Sequence, residues 1–135
     1  MRIIFFLLLF SLSSHGFTAN WMNFGQNKKG STFYVDVENI KLHDDHVYYF
    51  MMINYPELTK IGTYSNISEY KIDCVNQKQT WLSNIIYSKP MAQGKVITEK
   101  IPVWNHYGST LNETRYLESG SIEHRILLYV CGKVE

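Results

Sequence analysis

The sequence predicts an α+β domain: an antiparallel β-sheet meander with a C-terminal helix packed on one face and tied to it by a disulfide. Three observations predict it. Runs of alternating apolar and polar residues recur from Thr32 to Trp104, the period of a half-buried strand. The connections between these runs are too short for helical crossovers, so neighbouring strands run antiparallel. The only two cysteines, Cys74 and Cys131, sit in a chain that opens with an export signal, and an oxidising compartment joins such a pair.

The leader comes first. Met1-Arg2 supplies one positive charge, Ile3 to Phe10 is an unbroken apolar run, and Ser11, Leu12, Ser13 and Ser14 follow. That is the layout of a secretory signal peptide. The run is roughly half the ~20 residues a spanning helix needs, so no stable membrane span is expected. Cleavage is expected after Gly16, because Ser14-His15-Gly16 puts small residues at both recognition positions; a cut after Ala19 would place the bulky Phe17 at one of them. Residues 17–135 then form a single domain, with no repeat or Pro/Gly-rich linker dividing them. A lipid anchor on an N-terminal cysteine requires that residue directly behind the leader, and the first cysteine is Cys74. The expected destination is the periplasm, the cell surface or the medium, without such an anchor.

The strands follow in order. Thr32 to Val37 sets Phe33, Val35 and Val37 against Thr32, Tyr34 and Asp36, a strand with one buried face. After the Asp44-Asp45 turn, His46 to Ile53 carries Val47, Tyr49, Met51 and Ile53 on one side and Tyr48, Phe50 and Met52 on the other. Two apolar faces predict a central strand covered twice. In Thr63 to Cys74, Tyr70, Ile72 and Cys74 oppose Glu69, Lys71 and Asp73, so the inward face carries the first cysteine. Thr80 to Tyr87 and Lys95 to Trp104 are two further strand-like runs, separated by the turn formers of Ser88 to Gly94.

The tail changes period. Ser119-Gly120-Ser121 suits a helix cap, Ile126/Val130 and Leu127/Cys131 are spaced i,i+4, and Gly132 suits the position after a helix end. Local signals alone leave Ile126 to Val130 equally able to form a buried strand. The cysteine helps to decide for a helix over about Ile122 to Cys131, because a helix lying across one sheet face can bring Cys131 beside inward-facing Cys74. Closing a loop of this size contributes about 4 kcal/mol on the chain-entropy model.

An ordered set of residues then forms a recognisable pattern: Trp21-x3-Gly25; Thr32-Phe33-Tyr34-Val35-Asp36 leading to Ile40; Val47-Tyr48-Tyr49-Phe50; Tyr64-Ser65; and Asp73-Cys74. Tyr87-Ser88 with Met91-x2-Gly94-x-Val96, Trp104 and Tyr129-Val130-Cys131 complete it. It resembles the surface-adhesin protein E family of Gram-negative bacteria across essentially the whole mature chain. The resemblance implies a sheet of about six strands, a C-terminal helix tethered to its concave side, and pairing as a homodimer. It also implies a non-enzymatic, adhesin-like protein that binds host matrix or serum proteins such as vitronectin and laminin. The alternative is a periplasmic structural or assembly factor of the cell envelope without a host ligand. A small-ligand carrier, with an apolar cavity between helix and sheet, is a third reading.

Several chemistries find no support in the residues. Thirteen basic residues face twelve acidic ones, and removing Arg2 with the leader leaves no net charge to recruit nucleic acid. No Gly-x-Ser-x-Gly, phosphate-cradling Gly loop or HExxH stretch points to catalysis, and no cofactor is implied. His43-Asp44-Asp45-His46 could enclose a divalent ion, but Asp-Asp is a strong turn former and these side chains are expected to diverge. His106 and His124 stand alone. Asn66-Ile67-Ser68 and Asn112-Glu113-Thr114 fit the glycosylation pattern, by chance in a bacterial chain. Surface recognition remains. Tyrosine occurs ten times and combines apolar area with a hydrogen-bonding tip. The expected protein-binding residues are Tyr34 and Tyr64 beside the basic stretch of Lys71, Lys78, Lys89 and Lys95, a surface suited to an acidic or sulfated partner.

Overall fold

The computed structural model describes residues 19–58, 62–97 and 111–134. The expected leader, His106, and the end of the Lys95 to Trp104 run lie outside them. Among the described residues, eight antiparallel strands, β1 (Trp21–Gln26), β2 (Thr32–Asp36), β3 (Lys41–His43), β4 (His46–Asn54), β5 (Ser65–Asp73), β6 (Lys78–Lys89), β7 (Gln93–Val96) and β8 (Thr114–Tyr116), precede one helix, α1 (Ile122–Lys133). The sheet order is β1-β2-β4-β5-β6-β7, with β3 beside the first half of β4 and β8 beside the start of β6. The expected meander is present, and β1, β3 and β8 are additional to the strands read from alternation. Among the described residues no helix is long and apolar enough to cross a membrane.

Alternation becomes burial as expected in β2, β4 and β5. Phe33 and Val35, then Val47, Tyr49, Met51 and Ile53, then Tyr70 and Ile72 all face one core. On the far side of β4 the coverage is uneven: Met52 is fully buried, whereas Tyr48 and Phe50 are half-buried. Asp36, expected on the solvent side, is instead fully buried. Its Oδ1 accepts the Asn20 and Glu38 N–H groups at 3.1 and 3.2 Å and its Oδ2 accepts from Asn39 Nδ2 at 2.7 Å. A buried carboxylate with donors on both oxygens fixes the bend after β2.

The helix begins where the sequence predicts. Ser121 is its N-cap, and the Ser121 hydroxyl accepts the His124 N–H at 3.1 Å. It runs through Gly132 to Lys133 and is closed by Val134, so Gly132 is a helical residue and not the terminating one. Ile126, Leu127, Val130 and Cys131 make one apolar stripe, joined to the β2, β4, β5 and β6 side chains. Cys131 is bonded to Cys74, one residue beyond β5, with Cα atoms 5.9 Å apart. Asp73 steadies that corner, accepting Asn76 N and Nδ2 at 3.2 and 2.8 Å.

At the other end of the helix the contact is ionic. Arg115 on β8 donates to Glu123 at 2.6 Å, and both side chains are largely withdrawn from solvent. Beside them the fully buried Tyr49 hydroxyl donates to Gln79 Oε1 at 2.7 Å. Burial raises the Glu123 pKa, and the Arg115 guanidinium pulls it partly back. The helix is thus pinned covalently near its C-terminus and electrostatically near its start.

Two measurements follow from this clamp. The disulfide closes a separation of 57 residues, so Cys131→Ser should cost about 4 kcal/mol on the chain-entropy model, seen as a lowered Tm that reductant no longer lowers further. An unchanged Tm would refute the clamp. For Glu123, a folded pKa above the unfolded one means that the native state holds more protons between the two values. Its contribution is therefore full below the unfolded pKa and is lost as pH rises through the folded one. Denaturant titrations across pH should show wild type gaining on Glu123→Gln as pH falls through that window; a difference independent of pH contradicts the assignment.

Candidate functional site

The helix occupies one face of the sheet, and strand register defines what stands on the other. Tyr34, Met52, Ile67 and Ile85 form one row across β2, β4, β5 and β6. Phe50, Glu69 and Ser83 form the next. Lys41, Tyr48, Lys71, Thr80 and Thr114 form a third, from β3 to β8. Side chains directly opposite on adjacent strands stand about 5 Å apart at Cβ, so Tyr48 lies between two lysines.

One end of this face is covered by the chain itself. Asn54 Oδ1 accepts the Met91 N–H at 2.8 Å, and Asn54 Nδ2 lies 2.9 Å from Met91 Sδ. Ser65, the register partner of Asn54, donates to the Lys89 carbonyl at 2.6 Å and accepts the Ala92 N–H at 3.0 Å. These bonds fold the β6–β7 turn over the ends of β4 and β5. Gly94 permits the turn: its φ is +79°, and a Cβ there would stand 2.6 Å from Ser88 Oγ. The opposite end stays open as a groove of about 420 Å³ lined by Asn39, Lys41, Leu42, His43, Tyr48, Phe50 and Glu69.

The sheet edges are poor sites for adding a strand. β1 is broken by a register shift between Asn23 and Gly25, where Gly25 has a φ of +113° and its N–H is taken by Asn23 Oδ1 at 2.7 Å. On the other side β7 and β8 have only four and three residues. Short and bulged edges resist edge-to-edge pairing.

The residues singled out from sequence do not form one patch. Tyr34, Lys71 and Lys78 lie on the open face, with Lys78 Nζ 4.9 Å from the Tyr116 ring centre. Tyr64 is a half-buried bend residue just before β5. It is held there by backbone bonds to Tyr55 and Tyr87 at 2.9 and 3.0 Å. Lys78 and Lys89 are the two ends of β6, roughly 35 Å apart at strand rise, and Lys95 belongs to β7. A stretch that is basic in sequence is thus dispersed over β5, β6 and β7. Sequence reasoning missed Lys41, Leu42, Tyr48, Phe50 and Glu69 as neighbours. The signal was there in part: Lys41-Leu42-His43 directly precedes a turn leading back into Tyr48 and Phe50.

That turn is what the His43-Asp44-Asp45-His46 cluster forms. Asp44 and Asp45 have φ of 48° and 63°, and His43 pairs with His46 in register, a two-residue hairpin loop in which both central residues have positive φ. His43 Nε2 lies 3.2 Å from Asp44 Oδ2, both side chains largely exposed; His46 Nδ1 is 2.9 Å from the Asp44 carbonyl. Among the described residues no three His, Cys, Asp or Glu side chains converge as metal ligands. His124 Nε2 lies 3.1 Å from Gln77 Oε1, a further link between helix and sheet.

Comparison with known proteins gives this architecture its kin. The surface-adhesin protein E family matches residues 21–132. No curated protein matches the chain. Among solved structures, crystal form II of Haemophilus influenzae protein E is similar at 17% identity, with 87% of this chain and 91% of that one covered and a TM-score of 0.62. Another structure of Haemophilus influenzae protein E gives 17% identity, 87% and 88% coverage, and a TM-score of 0.61. Protein E from non-typeable Haemophilus influenzae gives 16%, 87% and 79%, and 0.58. At such identity the structural likeness speaks for the fold, and the family match extends over nearly all the described residues: the chain belongs to the surface-adhesin protein E family.

Proposed function

We propose that this protein is an exported, non-enzymatic adhesin that binds host matrix or serum proteins, vitronectin and laminin being the first candidates, through the sheet face opposite the helix. The observation that carries the choice of surface is the division of the sheet. One face is closed by α1 and its disulfide, and both edges are short or bulged. The remaining face carries Tyr34, Tyr48, Phe50 and Ile85 with Lys71 and Lys78. Aromatic side chains are enriched in protein-recognition surfaces, and the lysines add electrostatic steering of an acidic partner. Membership of a surface-adhesin family supports export to the cell surface.

The purified exported chain should bind immobilised vitronectin or laminin, and protease added to intact cells should remove it. Tyr34→Ala combined with Ile85→Asp should weaken that binding about tenfold or more, as loss of an interface anchor does. Val75→Asp, at the 91% exposed turn after β5, should leave it unchanged. Failure to bind either host protein, together with protection from external protease, would favour the periplasmic assembly-factor reading.

A further inference from the structure

The open groove at the β3–β4–β5 end has a charge pattern of its own. Its floor is Tyr48 and Phe50, alternate residues of β4. Lys41 and Lys71 are the two register partners of Tyr48, so a cation stands on either side of the ring. Glu69, the partner of Phe50, is the one carboxylate lining the groove. Nearby, the Asp44 carboxylate is engaged with His43, and Asp73 accepts from Asn76. Among the described residues neither Lys41 nor Lys71 forms an ion pair. Two unneutralised cations about 10 Å apart across an aromatic floor are complementary to a carboxylate flanked by apolar side chains.

We infer that this groove is a docking site for an extended acidic peptide segment of a partner protein, one carboxylate lying over Tyr48 between Lys41 and Lys71 and a neighbouring apolar side chain against Phe50. The inference rests on the reading of the chain as a binding protein and names the chemistry of the segment it takes. An extended ligand along β4 repeats its side chains at about 7 Å, the spacing of Tyr48 and Phe50. A run of alternating acidic and apolar residues therefore matches the groove, and Glu69 sets a limit by disfavouring a second carboxylate at the Phe50 row.

The test uses the exported chain, isotope-labelled for NMR, and three probes: an acetylated and amidated peptide alternating Glu and Val, the same peptide with Lys for Glu, and a heparin fragment. The Glu peptide should bind with shifts confined to residues of β3, β4 and β5 around the groove, and weaken as salt rises from about 50 to about 300 mM. The double variant Lys41→Ala, Lys71→Ala should bind it about tenfold less tightly, while Glu69→Gln binds it more tightly. These positions are at the surface, and an unchanged Tm will show that the fold is intact. Equal binding of the Lys peptide, shifts elsewhere, or heparin occupying the groove in place of the Glu peptide would each overturn the inference. If the Glu peptide fails while vitronectin or laminin still binds, only the groove assignment falls; if the host proteins fail and the peptide binds, only the host-ligand reading does.

Discussion

The Cys74–Cys131 bond is the constraint on which the arrangement of this molecule depends. A twelve-residue helix is marginal in water on its own, and this one carries an apolar stripe that has to be covered. The disulfide fixes its C-terminal half beside β5, and the Arg115–Glu123 pair fixes its start beside β8. With both ends held, the helix lies across the sheet, and Val47, Tyr49, Ile72 and Trp81 become one core with Ile126, Leu127 and Val130. The buried ion pair itself adds little, because desolvation of two charges offsets much of their attraction. Its effect is on position: it gives Glu123 one place to sit.

This placement determines what is left for recognition. A sheet has two faces and two edges, and the helix removes one face. The edges are removed by the backbone, through the Gly25 irregularity on one side and the brevity of β7 and β8 on the other. The β6–β7 turn then covers one end of the remaining face by bonding to Asn54 and Ser65. The open region is what three separate structural devices fail to reach. Its β4 and β5 residues come from strands whose opposite sides are committed to the core, so Tyr48 and Phe50 are held by the burial of Val47, Tyr49 and Met51. A rigid platform of this kind loses little entropy on binding.

Much of the fold was legible because burial on one face leaves a period-two record in the sequence. Phe33/Val35, Val47/Tyr49/Met51/Ile53 and Tyr70/Ile72 all alternate, and all are core. The short strands leave no such record. β3 has three exposed residues and β8 exposes two of its three, so neither carries an apolar rhythm to detect. β1 has its alternation interrupted by the Gly25 shift. The helix was ambiguous by pattern and became readable through a covalent requirement, since Cys131 had to meet Cys74. Its far end was misread because Gly132, a residue that commonly stops helices, is here simply tolerated within the last turn.

The candidate site was less legible for a different reason. Proximity in sequence was taken for proximity on the surface, and a strand defeats that inference twice: alternation sends neighbours to opposite faces, and length carries them apart. Lys71 and Lys78 stay on the open face because the β5–β6 turn is tight, whereas Lys89 is carried the full length of β6. The neighbour of Lys71 across the strands is Tyr48, more than twenty positions upstream, and beyond it Lys41, which is reached only through two registers. The first of these registers, β3 against β4, is pinned by the Asp44-Asp45 turn, whose two positive φ angles give the hairpin its two-residue loop. The cluster that looked like a metal site thus acts through its backbone: it returns the chain at the one position that sets Lys41 against Tyr48, and a one-residue slip there would send Lys41 to the other face.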